Sequence, residues 1–290
     1  MAAKEIKAEA GENPLVPNQR LREIYIAMVE ARALEDAVLK QRRSAARRNK
    51  PTSIRGQEAV RASVTLQLEA HDLVSDVELS AGMSAILGGN APALLKTFTA
   101  AKPQITAPER LLALIQGTEQ RLQMALGAAL ALKAQKKQAV VIAYIRKDEL
   151  SVAAYRRILK PAAAHELPII FVVLPRAGNP RPSDSDPFIA RVAGKTGVPG
   201  IPVDACDSVA LYRVAQESFG RTRGGDGPVL IECIRWKVSG ARATASSADP
   251  IEHLAQFMAG RKISTSAWFK QVEITASKRL KGRKNASKKA

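Results

Sequence analysis

Apolar residues first recur at helical spacing in "NQRLREIYIAMVEARALEDAVLKQRRSAARRNK", beginning near Asn18. Leu21, Ile24, Met28, Ala31 and Ala37 form one stripe, with Tyr25, Val29 and Leu34 beside it. Residues three and four apart share a helix face, so the pattern predicts a long amphipathic helix. Its basic end suits the negative pole of a helix dipole. A second helix is predicted from Gly56 through "QEAVRASVTLQLEA" to a break at His71 and Asp72, and short helices at "GMSAILGG" and "APALLKTF". From Pro108 the alternation becomes regular. "PERLLALIQGTEQRLQMALGAALALKAQKK" reads as helical segments with a small-residue stretch at Ala125 to Ala131, followed by the strand "AVVIAYI" and a helix to about His165. The strand "PIIFVVL", the helix "DPFIARVAGKTG", the strand "GIPVDA", the helix "DSVALYRVAQESFGRTR" and the strand "GPVLIECIRW" complete the series. Strands that are apolar throughout are covered on both sides, so the expectation is an α/β fold: a mostly parallel sheet with helices on both faces.

Composition narrows the class. The chain has 290 residues, 46% hydrophobic and 25% charged, enough for a sizeable core. Aromatics are only 4%, and abundant alanine favours close packing of helices. No run approaches the ~20 apolar residues of a membrane span. The start, "MAAKEIKAEAGENP", is acidic and lacks an apolar centre, which reads as neither signal nor transit peptide, so a cytoplasmic protein without membrane contact is expected. Cys206 and Cys233 lie far apart with no CxxC and no neighbouring histidine, as expected of two buried thiols rather than a disulfide or zinc site. His71, His165 and His253 are scattered, which leaves little for histidine-based catalysis.

Charge is unevenly placed within the net +18. From Arg261 onward there are ten Lys or Arg against the single acid Glu273. The expected organisation is a flexible N-terminus over 1–17, a folded domain over 18–277 and a basic disordered tail over 278–290, with weak, non-specific affinity of that tail for nucleic acid.

The segments "LREIYIAMVEARALEDAVL", "RGQEAV", "LPIIFVV", "TGVPGIPVDACDSVALYRV", "GPVLIECIRW" and "ADPIEHL" stand in an order and spacing that resembles the α subunit of thiamine diphosphate-dependent 2-oxoacid dehydrogenases, the E1 component of pyruvate and branched-chain type, over about residues 18–260. The resemblance implies a three-layer thiamine diphosphate-binding fold, an oxidative decarboxylation, the cofactors thiamine diphosphate and magnesium, and assembly with an E1 β-like subunit or as a homo-oligomer. In that family the strand matching Ala139 to Ile145 ends in Gly-Asp-Gly, and the one matching Pro168 to Leu174 ends in two asparagines. Glycine lets backbone approach a diphosphate, and Asp and Asn oxygens hold the bridging magnesium.

Here Arg146, Lys147 and Asp148 stand at the first position, and Pro175 and Arg176 at the second. Lysine and arginine have no acceptor atom for a metal, and proline has no side-chain donor atom. Using Asp148 as the missing aspartate leaves both flanks without glycine. The literal Gly-Asp-Gly within Gly224 to Pro228 precedes its strand and reads as a turn. A Tyr-Arg-x-His group expected after Asp72 aligns with Glu78, Leu79, Ser80 and Ala81, and a His-Gly-His-Ser loop with Ser239, Gly240, Ala241 and Arg242. The stretch between those loops is shortened around Gly88 to Pro103. The expectation is therefore a degenerate, non-catalytic or regulatory homolog that binds no cofactor, with two alternatives: a working dehydrogenase subunit with unusual cofactor contacts, and a polyanion-binding protein acting through its tail.

Among retained residues, Gly56, Gln57, Glu58 and Ala59 match the family's helix-opening motif and are expected to cap a helix or signal to a partner. Asp207 is expected to cap the helix from Ser208, and His165 to be a cation at a helix end. Arg146, Lys147 and Arg176 could converge as an anion pocket or lie on a solvated face.

Overall fold

The computed structural model describes residues 12–13, 15–44, 52–77, 79–100, 108–175, 188–235 and 249–280. Ten helices and five strands occur among them, in the order α1 (Asn18–Ser44), α2 (Glu58–Thr65), β1 (Leu73–Ser75), α3 (Ala81–Ile86), α4 (Ala91–Thr99), α5 (Thr118–Ala134), β2 (Val141–Arg146), α6 (Val152–Ala164), β3 (Ile169–Leu174), α7 (Ile189–Gly194), β4 (Gly200–Asp204), α8 (Ser208–Arg223), β5 (Val229–Ile234), α9 (Pro250–Gly260) and α10 (Ser266–Leu280). The strands form one sheet in the order β1-β2-β3-β5-β4, and every pairing is parallel.

Successive side chains of a strand point to opposite faces, and the core follows that period. Ile142, Tyr144, Ile170, Val172 and Ile231 enter one apolar cluster with residues of α1, α2, α8, α9 and α10. Val141, Ala143, Ile145, Phe171, Val173 and Leu230 enter another with α5, α6 and α7. A sheet buried on both sides explains strands that read as unbroken apolar runs. A third cluster, Leu34, Val38, Ala81 and Phe98 with Leu94, Leu95 and Leu280, joins α1 to α3, α4 and α10.

The expected α/β architecture is present, with differences in detail. The edge strand β1 has only three residues and was not predicted, because "LVS" is too short for a period to register. The predicted second helix ends at Thr65 rather than running to His71. Helical structure was also predicted from Pro108, but α5 begins only at Thr118; Leu111 instead bridges Val74, and Leu112 N donates to Val74 O, extending the edge of β1.

Helix α10 was not anticipated either. It continues through Lys278, Arg279 and Leu280, three residues into the segment expected to be a tail, because Leu280 packs on the third cluster and Val272 and Ala276 are buried. Trp268 and Phe269 at its start meet Tyr25 of α1, with ring centroids 5.5 and 5.0 Å away. Residues 281–290, the rest of the expected tail, lie outside the described residues. No described helix is long and apolar enough to cross a membrane.

Candidate functional site

All five strands being parallel, their carboxyl ends share one edge of the sheet, where open α/β sheets place ligands. The residues arriving there are Ser75 and Asp76 after β1, Arg146 and Lys147 at β2, Leu174 and Pro175 at β3, Ile234 and Arg235 at β5, and Asp204 at β4.

Lys147 continues past β2, where its backbone N donates to Leu174 O at 3.0 Å. Its ammonium lies 3.0 Å from Glu232 Oε1, an ion pair off-line for a hydrogen bond. Glu232, in β5, is fully buried, and its other oxygen accepts from Ala190 N at the start of α7 at 2.8 Å. A carboxylate in a sheet interior is tolerated only if paired, and Lys147 is the cation that pairs it.

Arg146 turns to Glu149, which accepts from the Arg146 backbone N at 3.0 Å and lies 2.8 Å from its guanidinium. Beneath sits Arg121 of α5, 1% exposed, donating to Ser75 Oγ at 3.1 Å and 3.7 Å from Glu149. Burial lowers the Arg121 pKa from its ordinary value against the opposing pull of Asp76 and Glu149. On the β1 side, Arg61 pairs with buried Asp76 and stacks over Tyr144, 4.2 Å from the ring centroid. Tyr144 meets Thr65 Oγ1 at 3.1 Å, and burial raises its pKa.

Both cations at the end of β2 are thus paired with a carboxylate, Lys147 with Glu232 and Arg146 with Glu149, which Arg121 also approaches; the Arg146 side chain remains 40% exposed. Asp148 is exposed on the turn and Pro175 offers no side-chain donor atom; Arg176 lies outside the described residues, as do Glu78 and the loop at Ser239 to Arg242. Ser80 caps α3, accepting from Met83 N. Sequence reasoning singled out neither Arg121 nor Glu232. An acid inside the apolar run "VLIECI" was the one signal that could have revealed Glu232.

The helix-opening motif does not cap α2 through a side chain, contrary to that expectation, and its contacts lie elsewhere. Gln57 occupies the N-cap of α2 without a side-chain capping bond; Glu58, buried, accepts from Gly56 N at 2.6 Å and pairs with Arg32 of α1 at 2.7 Å. Burial raises the Glu58 pKa against the lowering effect of Arg32. Arg32 also bonds Asp249, the N-cap of α9, so one guanidinium ties three helices. Gly56 has φ +81 and its carbonyl accepts from Arg235 Nη2 at 2.9 Å, linking this turn to the end of β5.

Asp207 caps α8 as expected, accepting from Val209 N and Ala210 N at 3.0 Å. His165 caps α6, and its carbonyl accepts from Lys133 Nζ at 2.8 Å. The glycines of the Gly224 to Pro228 segment lie in the turn before β5, with Gly225 and Gly227 at positive φ. Cys206 and Cys233 are buried free thiols.

Comparison with known proteins gives a consistent family. A model of the dehydrogenase E1 component matches residues 26–281. The chloroplastic pyruvate dehydrogenase E1 component subunit alpha-3 of Arabidopsis thaliana is 30% identical over 151 residues, 46% of this chain and 35% of that protein. The alpha subunit of acetoin:2,6-dichlorophenolindophenol oxidoreductase of Bacillus subtilis is 30% identical over 146 residues, 46% of this chain and 43% of its own. The pyruvate dehydrogenase E1 component subunit alpha of Staphylococcus aureus is 34% identical over 117 residues, 39% of this chain and 32% of its own. The alignments thus span between about a third and two fifths of the length of these relatives.

This finding corrects the expectation that the chain binds no cofactor. The family is thiamine diphosphate-dependent, so membership makes a cofactor the expectation, and the loss of a motif was too narrow a ground for its absence. The described strand-end residues nevertheless do not fit a magnesium-bridged diphosphate held as the resemblance implies: Lys147 and Arg146 present cations already paired, and no group of three or more His, Cys, Asp or Glu among the described residues is placed to hold a metal ion. With the fold, the order of motifs and a match over residues 26–281 in agreement, this chain belongs to the dehydrogenase E1 component family.

Proposed function

We propose that this chain is an E1 α-type subunit whose work is regulatory or structural, and that it does not complete 2-oxoacid decarboxylation. The observation that supports this most directly is the Lys147–Glu232 pair. At the end of β2, where the resemblance expects an oxygen ligand beside glycine, the chain places an ammonium 3.0 Å from a buried carboxylate. In active relatives of the kind implied, bound thiamine diphosphate supplies the carbanion chemistry, and the protein's part is to position it. Here the described residues at that point stabilise one another: Arg146 with Glu149, Lys147 with Glu232, and Arg61 with Asp76. A closed set of ion pairs keeps the sheet edge in one shape, which suits a scaffold.

The partner in this reading is an E1 β-like chain or a second copy of this one, in the cytoplasm. The outer face of α5 presents Gln123, Gly127, Leu130, Ala131 and Ala134 as exposed residues, and Leu130 is 51% exposed. Such a small-residue and leucine face suits close helix contact in an assembly.

The test is to co-express the chain with a β-type subunit, purify the assembly, and follow reduction of dichlorophenolindophenol by 2-oxoacids with thiamine diphosphate and magnesium present. Assembly without turnover is the expected result. A second reading, a working subunit with unusual contacts, is favoured by the extent of the family match. Sustained turnover, lost on omission of thiamine diphosphate, would establish that reading instead.

A further inference from the structure

Three helices end at one corner of the molecule. Arg42, in the last turn of α1, donates to Phe98 O near the end of α4 at 3.2 Å. Leu280, the last residue of α10, packs in the cluster that contains Leu34 and Val38 of α1 and Leu94, Leu95 and Phe98 of α4. α10 runs alongside α1 in the same direction, since Trp268 and Phe269 meet Tyr25, Arg279 pairs with Glu30, and Leu280 reaches Leu34 and Val38.

Each end is basic, as befits a helix C-terminus, but the cations exceed what local pairing uses. Arg55 pairs with Asp36 and Arg279 with Glu30. Lys40 and Arg43 of α1, Lys96 of α4 and Lys278 of α10 are exposed and have no ion-pair partner among the described residues. From Leu280 the sequence continues with Lys281, Arg283, Lys284, Lys288 and Lys289 and no acid. Four cations without an ion-pair partner among the described residues, on three helices that are distant in sequence and whose ends share one apolar cluster, exceed what helix-end stabilisation requires.

We propose that these converging helix ends form a platform that binds the phosphate backbone of nucleic acid without reading its sequence. The chemistry favours this partner over an acidic peptide or a membrane. The cations are spread over separate helix ends rather than gathered round a pocket, which matches a polymer with charge repeated every ~1.7 Å of duplex axis. Peptide docking and membrane insertion rely on apolar anchors. Of the large apolar residues exposed among the described ones, only Ile274 belongs to these three helices. The groove of about 780 Å³ between α1, α9 and α10 is lined by Asp36, Asp249, Glu252 and Glu273 as well as Arg32 and Lys40, so an anion stays on the crest and out of the groove. Among the described residues of these three helices no exposed aromatic offers a platform for base stacking, consistent with contact to phosphate alone.

The experiment measures fluorescence anisotropy of two short duplex DNAs of unrelated sequence titrated with the full chain across a salt series. Expected are equal affinities for both duplexes and a steep fall of log K with log salt. The variant Lys40→Gln, Arg43→Gln, Lys96→Gln, Lys278→Gln should reduce that slope by about 3 to 4, from roughly 0.9 per phosphate contact. A chain ending at Leu280 should retain the share of the slope owed to these four residues. Circular dichroism checks the fold; should the fourfold change disturb it, the pair Lys40→Gln, Lys96→Gln is read instead, with a loss of about 2 in slope. Sequence-selective binding, an unchanged slope in the variant, binding abolished by removal of 281–290 alone, or no binding at low salt would each overturn the proposal.

Discussion

At the scale of residues, the decisive feature is a buried acid of β5 answered by a cation from the end of β2, across the intervening β3. Removing Lys147 leaves Glu232 charged without its cation in the sheet, whereas neutralising both takes the buried charge away. Lys147→Met is expected to destabilise the chain by about 2 to 3 kcal/mol, the lower part of the range for a broken buried pair because the lysine is partly exposed. Adding Glu232→Gln should recover most of that loss. Urea denaturation of the two single variants and the double one measures the coupling; strictly additive effects would count against the pair.

Cys206 makes a second prediction at this scale. Burial, with Asp204 adding, pushes its thiol from the ordinary 9.0 up to about 11. The unfolded chain then releases this proton first on raising pH, so the contribution is fully present below about pH 9 and is lost as pH rises from about 9 to 11. The melting temperature should fall across that window, and the fall should be shallower in Cys206→Ala.

At the scale of elements, Arg32 holds α1 to α2 through Glu58 and to α9 through Asp249. The two acids respond oppositely. Burial dominates at Glu58 and raises its pKa; at Asp249 burial also works to raise it, but the hydrogen bond and charge of Arg32 and the backbone donors of Ile251 and Glu252 bring it below the ordinary value. Arg32→Ala is expected to cost about 3 kcal/mol, mostly from the stranded Glu58 carboxylate. Glu58→Gln in the Arg32→Ala background should offset a large part of it. Hydrogen exchange locates the effect: protection should fall at the start of α2 and at the N-terminus of α9 and remain in β2 and β3.

The whole molecule is a sheet covered on both faces, and α5 carries Leu130, one of the exposed large apolar residues among those described. Leu130 is exposed there among alanines and Gly127, so Leu130→Lys should leave the melting temperature nearly unchanged while weakening self-association or pairing with a β-type chain about tenfold or more. Light scattering across a dilution series measures this. Unchanged association in the variant would move the interface to another face.

The strands within Ala139 to Ile145, Pro168 to Leu174 and Gly227 to Trp236 were legible because apolar periodicity is a local property, and so were the Asp207 cap and the long helix from Asn18. The substitution at the end of β2 was equally visible, as Arg146 and Lys147 in a place that the resemblance reserves for other residues. The partners of those two cations were only half visible. Glu149 lies within the same turn, but Glu232 is a strand away in space and far away in sequence, and parallel pairing alone brings β5 beside β3 and the Lys147 side chain to it. Likewise the basic character of α1 and of the C-terminal region is written in the sequence. That both end at one corner beside α4 is not, because it depends on how Leu34, Val38, Phe98 and Leu280 share one apolar cluster, and such contacts between distant segments are decided by packing.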